Sequence, residues 1–196
     1  MEREWKRIVS WLKVHAPEQL EGLREGASEI GVATLENGVS QVLPDDYKEL
    51  LRLHDGENTT YGLLGGWYLL GAAEALQHWE ALHRLERSGA FEGPHGDFVI
   101  EGPVRAMWRS PAWIPIVSDQ AGNFHMLDLD PAPGGSRGQV IYYSHNDAHR
   151  AVLATGVSDY LRKFADKLEA GQFEVRRSPS SGRYMGLRDV NGNDDA

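Results

Sequence analysis

Apolar positions recur along this chain with two periods, and each period marks a kind of element. Near the start, Trp5, Ile8, Val9 and Leu12 stand at i, i+3, i+4 and i+7 with charged residues between them, which predicts an amphipathic helix over 2–15, ended by Pro17. The stretch 43–56, LPDDYKELLRLHDG, is the best-signalled helix. Pro44 suits a first turn, Asp45 and Asp46 complement the positive end of the helix dipole, and Tyr47, Leu50, Leu51 and His54 share a face before Gly56. Similar spacing predicts helices over 72–85 and 158–170, the latter stopped by Gly171. Between 18 and 42 four glycines interrupt the apolar positions, so only short helical turns are expected there.

The second period is that of strands. Residues 113–130, WIPIVSDQAGNFHMLDLD, give an apolar β-branched run, a cluster of turn formers at 118–123 in which Gly122 or Asn123 can take positive φ, and a second strand. Alternation puts His125, Leu127 and Leu129 on one face and Phe124, Met126, Asp128 and Asp130 on the other. One face then reads as core and the other as carrying two carboxylates. A further strand is expected at 139–144, giving an antiparallel meander, with a buried strand at 67–70 and short ones at 97–101 and 104–108. The rest of the Gly- and Pro-rich stretch 89–112 reads as loop. Helices flanking a sheet of consecutive strands make the fold class α+β, a central antiparallel sheet packed by helices. One domain over 1–173 is expected. Residues 174–196, polar and rich in Gly, Ser and Asn, read as a poorly ordered tail unless a partner holds Tyr184, Met185 and Leu187.

Composition narrows the function. A net charge of −9 argues against binding a phosphate backbone and favours a basic partner. The absence of cysteine excludes disulfides, thiolate zinc sites and a Cys nucleophile, and fits a reducing compartment. No apolar run reaches the length of a membrane span, so a cytoplasmic protein with no membrane or nucleic-acid partner is the expectation.

Three constellations invite a chemical reading. Asp119, Asn123, Asp128 and Asp130 offer oxygen ligands for a hard cation or a pair for acid and base work, but Asp119 and Asn123 are also what a turn requires. His145 and His149, at i and i+4, would suit zinc on a helix, although the glutamate of the metalloprotease motif is missing and Asn146-Asp147 reads as a turn or cap. Of the six tryptophans, Trp5, Trp79 and Trp113 have core-like neighbours, whereas Trp11 and Trp108 are the better candidates for exposed contacts. Phosphate-binding loops and the G-x-S-x-G elbow are absent.

Five segments in series, LPDDYKELLRLHDG, GWYLL, WIPIVSDQAGN, LDLDP and GQVI, resemble the SUKH superfamily and, within it, the Smi/Knr group. The resemblance covers about residues 1–173 and implies an α+β domain with no established catalytic activity. It also implies direct protein binding: bacterial members neutralise cognate toxins, often nucleases, and fungal ones act in cell-wall assembly. Matching motif positions include Trp113, Asp119, Gly122, Asn123, Asp128, Asp130 and Gly138. The leading expectation is a non-enzymatic immunity-type domain, without metal or cofactor, whose acidic surface meets a basic toxin domain. Asp55, Glu57, Trp108, Asp119, Asp128 and Asp130 are the candidate partner-binding residues. The alternatives are a regulatory scaffold for cell-wall or envelope assembly and a metal-dependent hydrolase.

Overall fold

A computed structural model describes residues 1–89 and 97–190. Helix α1 (Glu2–His15) buries Trp5, Ile8 and Leu12, and a short 3-10 helix follows over Pro17–Gly22. Helix α2 (Glu29–Val39) starts at Ser28, whose hydroxyl accepts the Gly31 N–H at 3.1 Å. Its glycines do not break it. A Cβ on Gly38 would come within 2.5 Å of the Leu76 side chain, so this glycine is what lets α2 approach its neighbour closely. Helix α3 (Asp45–Leu53) buries Tyr47, Leu50 and Leu51 as its spacing predicts.

Strand β1 (Tyr68–Leu69) leads into helix α4 (Ala72–Arg87). Then come β2 (Val99–Glu101), β3 (Trp113–Ser118), β4 (Phe124–Asp128), β5 (Gln139–Tyr143), β6 (His149–Ala154), helix α5 (Val157–Glu169), β7 (Phe173–Arg177) and β8 (Tyr184–Asp189). Six strands form one sheet in the order β1-β3-β4-β5-β6-β2, and β7 pairs with β8 in a separate hairpin. The α+β class and the β3-β4-β5 meander match the expectation. The sheet is not wholly antiparallel, because β2 returns to pair parallel with β6, with Ile100 opposite Arg150. The expected strand at 104–108 is absent: the Val104 and Met107 amides bond locally to the Gly102 and Arg105 carbonyls and are not free for a ladder. The β3-β4 turn uses Gly122 at φ 104° and Gln120 at φ 62°.

Every residue of β4 is buried, on both faces. The alternation anticipated one dry face and one acidic face. Instead the sheet is covered from both sides: the Phe124 ring meets His78 of α4 at 5.1 Å, while His125 meets Tyr160 of α5. His125 stacks on Trp67 at 4.0 Å, and burial, reinforced by the nearby Lys167 charge, pushes its pKa down to about 3.

The chain beyond Glu174 departs furthest from expectation. Residues 174–190 are held by the domain itself, with Tyr184 and Leu187 buried alongside Phe173 at the start of the hairpin, while residues 191–196 lie outside the described part. The Phe173 ring packs on Phe164 of α5 at 5.3 Å, Tyr184 meets Tyr61 at 5.9 Å, and Arg177 bridges to Glu18 at 2.7 Å. Three apolar anchors inside a polar sequence suffice once β7 and β8 can pair. The 90–96 part of the Gly/Pro-rich stretch also lies outside the described residues. Among the described residues no helix is long and apolar enough to cross a membrane.

Two outcomes follow. Ending the chain at Gly171 should lower the unfolding free energy by on the order of 3 kcal/mol or more, measured by urea denaturation, because three buried side chains are lost. A tail without a packing role would change it by less than about 0.5 kcal/mol. For His125 the folded pKa lies below the unfolded value, so its contribution is fully present above about pH 6.5 and is lost as pH falls, by at most about 1.4 kcal/mol per pH unit. The difference in stability between wild type and His125→Phe should therefore shrink from pH 7 to pH 5, and a constant difference would refute the assignment.

Candidate functional site

Strand β6 opens with a buried cation. Arg150 is 0% exposed, and among the described residues no carboxylate forms an ion pair with it. Its Nη1 donates to the carbonyls of Ser144 (3.1 Å), Asp147 (3.2 Å) and His149, and its Nη2 donates to the Trp108 carbonyl (2.9 Å). The guanidinium carbon lies 4.3 Å from the Tyr143 ring centre, 5.5 Å from Trp108 and 5.9 Å from Trp113. Carbonyl dipoles and aromatic faces thus supply the negative environment that a carboxylate would otherwise provide. Burial pulls the Arg150 pKa down from its ordinary value, opposed by Tyr143, Asp147 and Tyr142.

Above this cage the irregular segments 105–108 and 144–148 meet the edge of the sheet in an open cleft of about 540 Å³. Trp108, half-buried, forms part of its floor, and Val99 of β2 is 57% exposed beside it. Asp97, Glu101 and Asp147 are exposed around the same cleft, and His149 bonds Glu101 through Nε2 at 3.0 Å. An aromatic face, an aliphatic side chain on an edge strand and three carboxylates are suited to a basic, extended segment of a partner.

Of the six residues singled out in the sequence, only Trp108 lies in this cleft. Glu57 is 6% exposed. Its Oε1 accepts the Leu63 and Leu69 amides at 3.0 and 2.7 Å, and its other oxygen takes bonds from Thr59 and Gln19. Asp128 is fully buried, with its oxygens bonded to the Asp130 amide (3.0 Å) and the Gln139 side chain (2.9 Å). Burial raises the pKa of both groups, and their hydrogen bonds oppose it. Neither reaches the surface to touch a partner. Asp55, half-buried, accepts the Ala72 amide at 2.7 Å at the start of α4. Asp119 closes the hairpin turn by accepting the Ala121 and Asn123 amides and the Asn123 side chain at 2.7, 3.0 and 2.7 Å. Asp130 is exposed but pairs with Arg105 at 2.9 Å.

The histidine pair is separated by its surroundings. The segment 144–148 is bent rather than helical, so His145 turns to Asn123 (3.0 Å) and His149 to Glu101. Among the described residues no group of three His, Asp or Glu could hold a metal. Trp11 is half-buried and stacked on His15 at 4.4 Å. Sequence reasoning passed over Arg150. Its one signal was a charge at the start of the run HRAVLA, where an arginine pointing inward has to be held by something.

An α+β sheet domain whose Trp113, Asp119, Asn123 and Asp128 all serve the central hairpin is the class of molecule that the SUKH-like motifs describe. The model of the SMI1 / KNR4 family (SUKH-1) matches residues 26–163, and the chain belongs to that family. It is similar to the cell wall biosynthesis/cell cycle regulator smi1 of Schizosaccharomyces pombe, 30% identical over 92% of this chain and 38% of that protein. A glucan synthesis regulatory protein of Neurospora crassa is 25% identical over 87% of this chain and 39% of its own. The cell wall assembly regulator SMI1 of Saccharomyces cerevisiae is 24% identical over 86% and 40%. The chain spans about two fifths of the length of these relatives.

Replacing Arg150 by Ala should cost on the order of 3 kcal/mol or more in chemical denaturation, because several buried carbonyls lose their donor. Arg150→Lys should recover only part of this, since an ammonium cannot present the planar fork. Full recovery by Lys would show that charge alone matters.

Proposed function

We propose that this chain is a non-catalytic, protein-binding domain of a cell-wall regulatory system, and that it docks a basic segment of a partner protein in the cleft at Trp108. The observation that carries the docking site is the meeting of Trp108, exposed Val99 and the carboxylates of Asp97, Glu101 and Asp147 in one cleft. Support for the regulatory role comes from the relatives, described as regulators of cell-wall biosynthesis, glucan synthesis and cell-wall assembly. None of these three is described as an immunity protein, so the regulatory reading takes precedence over toxin neutralisation. The net charge of −9 favours a cationic partner on either reading. A cytosolic location is part of this proposal, in keeping with a chain that has no cysteine.

Trp108→Ala should weaken capture of the native partner at least about tenfold, as the loss of a central aromatic anchor does. Neutralising Asp97, Glu101 and Asp147 together should slow association and flatten its dependence on salt. Affinity pull-down from the source organism followed by surface plasmon resonance at two ionic strengths measures both. If both variants, shown to be folded, bind the same partner as tightly as wild type, the cleft is not the docking site.

A further inference from the structure

The two ends of the six-stranded sheet differ. At one end Tyr68 lies opposite Ser118 and Leu69 opposite Val117, and the Leu70 amide donates to the Ile116 carbonyl at 3.0 Å. Backbone groups point alternately to either side of a strand, so β1 turns the Leu69 amide away from β3. Buried Glu57 accepts that amide at 2.7 Å and closes this end. At the other end β2 pairs with β6 alone, the Val99 amide donating to the Ala148 carbonyl at 3.1 Å. The same alternation gives the Val99 and Glu101 backbone groups to β6 and turns the Ile100 N–H and C=O outward. Among the described residues nothing bonds to either of them.

The side chains of β2 separate in the same way. Ile100 is half-buried and packs on the core, whereas Val99 and Glu101 are exposed and line the cleft with Asp97 and Asp147. These carboxylates decide what can pair here. A second copy of the chain, itself at −9, would bring Asp97 and Glu101 against their own kind, and like charges facing each other across strands are destabilising. A strand with Lys or Arg at every second position would instead set its cations on the cleft face beside them.

We propose that the basic segment of the partner binds as a further strand on β2, its backbone exchanging hydrogen bonds with the Ile100 N–H and C=O and its alternate basic side chains facing Asp97, Glu101 and Asp147. Strand addition rests on the docking cleft at Trp108 and fixes how the segment lies in it. Main-chain bonds supply affinity at the sheet edge, and the cleft reads every second side chain.

The test titrates the full ¹⁵N-labelled chain with the end-blocked peptide Lys-Val-Lys-Val-Lys-Val-Lys and with two versions of it, N-methylated at every valine or at every lysine. Only one edge of a strand can face β2, so one methylated peptide should bind at least about tenfold more weakly than the other. Ile100→Pro, which removes the outward N–H and leaves the ladder to β6 in place, should weaken the unmethylated peptide by a similar factor. The methylated peptides leave the protein unaltered and decide the matter if that variant fails to fold. If Trp108→Ala weakens the peptide while the two methylated versions bind alike, the cleft docks a segment that does not extend the sheet, and strand addition is overturned. Absence of saturable shifts from the unmethylated peptide at about 5 mM also overturns it, whereas the docking cleft is judged by Trp108→Ala against the native partner. Self-association of the wild-type chain that is lost in Ile100→Pro, measured by sedimentation, would assign β2 to a second copy instead.

Discussion

A guanidinium with no water around it has to be held, and the way Arg150 is held shapes one whole end of this molecule. Carrying a full charge into the interior costs several kcal/mol unless dipoles replace its hydration. Here the replacement comes from the Ser144, Asp147, His149 and Trp108 carbonyls and from the faces of Tyr143, Trp108 and Trp113. The carbonyls at 108, 144 and 147 belong to segments without regular structure, which could not satisfy them through a sheet ladder. One side chain thereby fixes the Trp108 segment and the loop before β6, and with them the lining of the proposed docking cleft.

Buried and turn carboxylates do the corresponding work elsewhere. A carboxylate has two oxygens and can accept several amides at once, so one acid can close a loop whose backbone donors would otherwise be stranded. Glu57 gathers the Leu63 and Leu69 amides, and Asp119 gathers those of Ala121 and Asn123. Asp55 serves the start of α4, and Asp128 links the ends of β4 and β5 through Gln139. Motif acids that look like candidate ligands in the sequence are therefore consumed in holding the fold. The acids of the proposed docking cleft, Asp97, Glu101 and Asp147, lie outside the five motifs that carry the family resemblance, and two of them also have local bonds, Asp147 accepting the His149 amide at 2.9 Å and Glu101 meeting the His149 ring.

The hairpin, α1, α3, α4 and α5 were legible because each depends on a pattern within a dozen or so residues. Strand β6 was not: HRAVLA contains two alanines and opens with two basic residues, so its local preference for a strand is weak and pairing with β5 and β2 decides it. The β7-β8 hairpin was missed for a related reason, since Phe173, Tyr184 and Leu187 form an apolar surface only when two strands bring them together. Gly38 misled in the opposite direction, because a residue that weakens a helix in isolation is the one that lets α2 lie close to α4.

Periodicity, turn chemistry and motif order were enough to determine the class, the central hairpin, most of the helices and the family, because these rest on short-range regularities of the chain. Which acids are exposed, where Arg150 finds its carbonyls, and which end of the sheet Glu57 closes were decided only by the tertiary structure. Each depends on residues distant in sequence meeting in space, as Trp108 meets Arg150 and His125 meets Tyr160, and no local pattern encodes such a meeting.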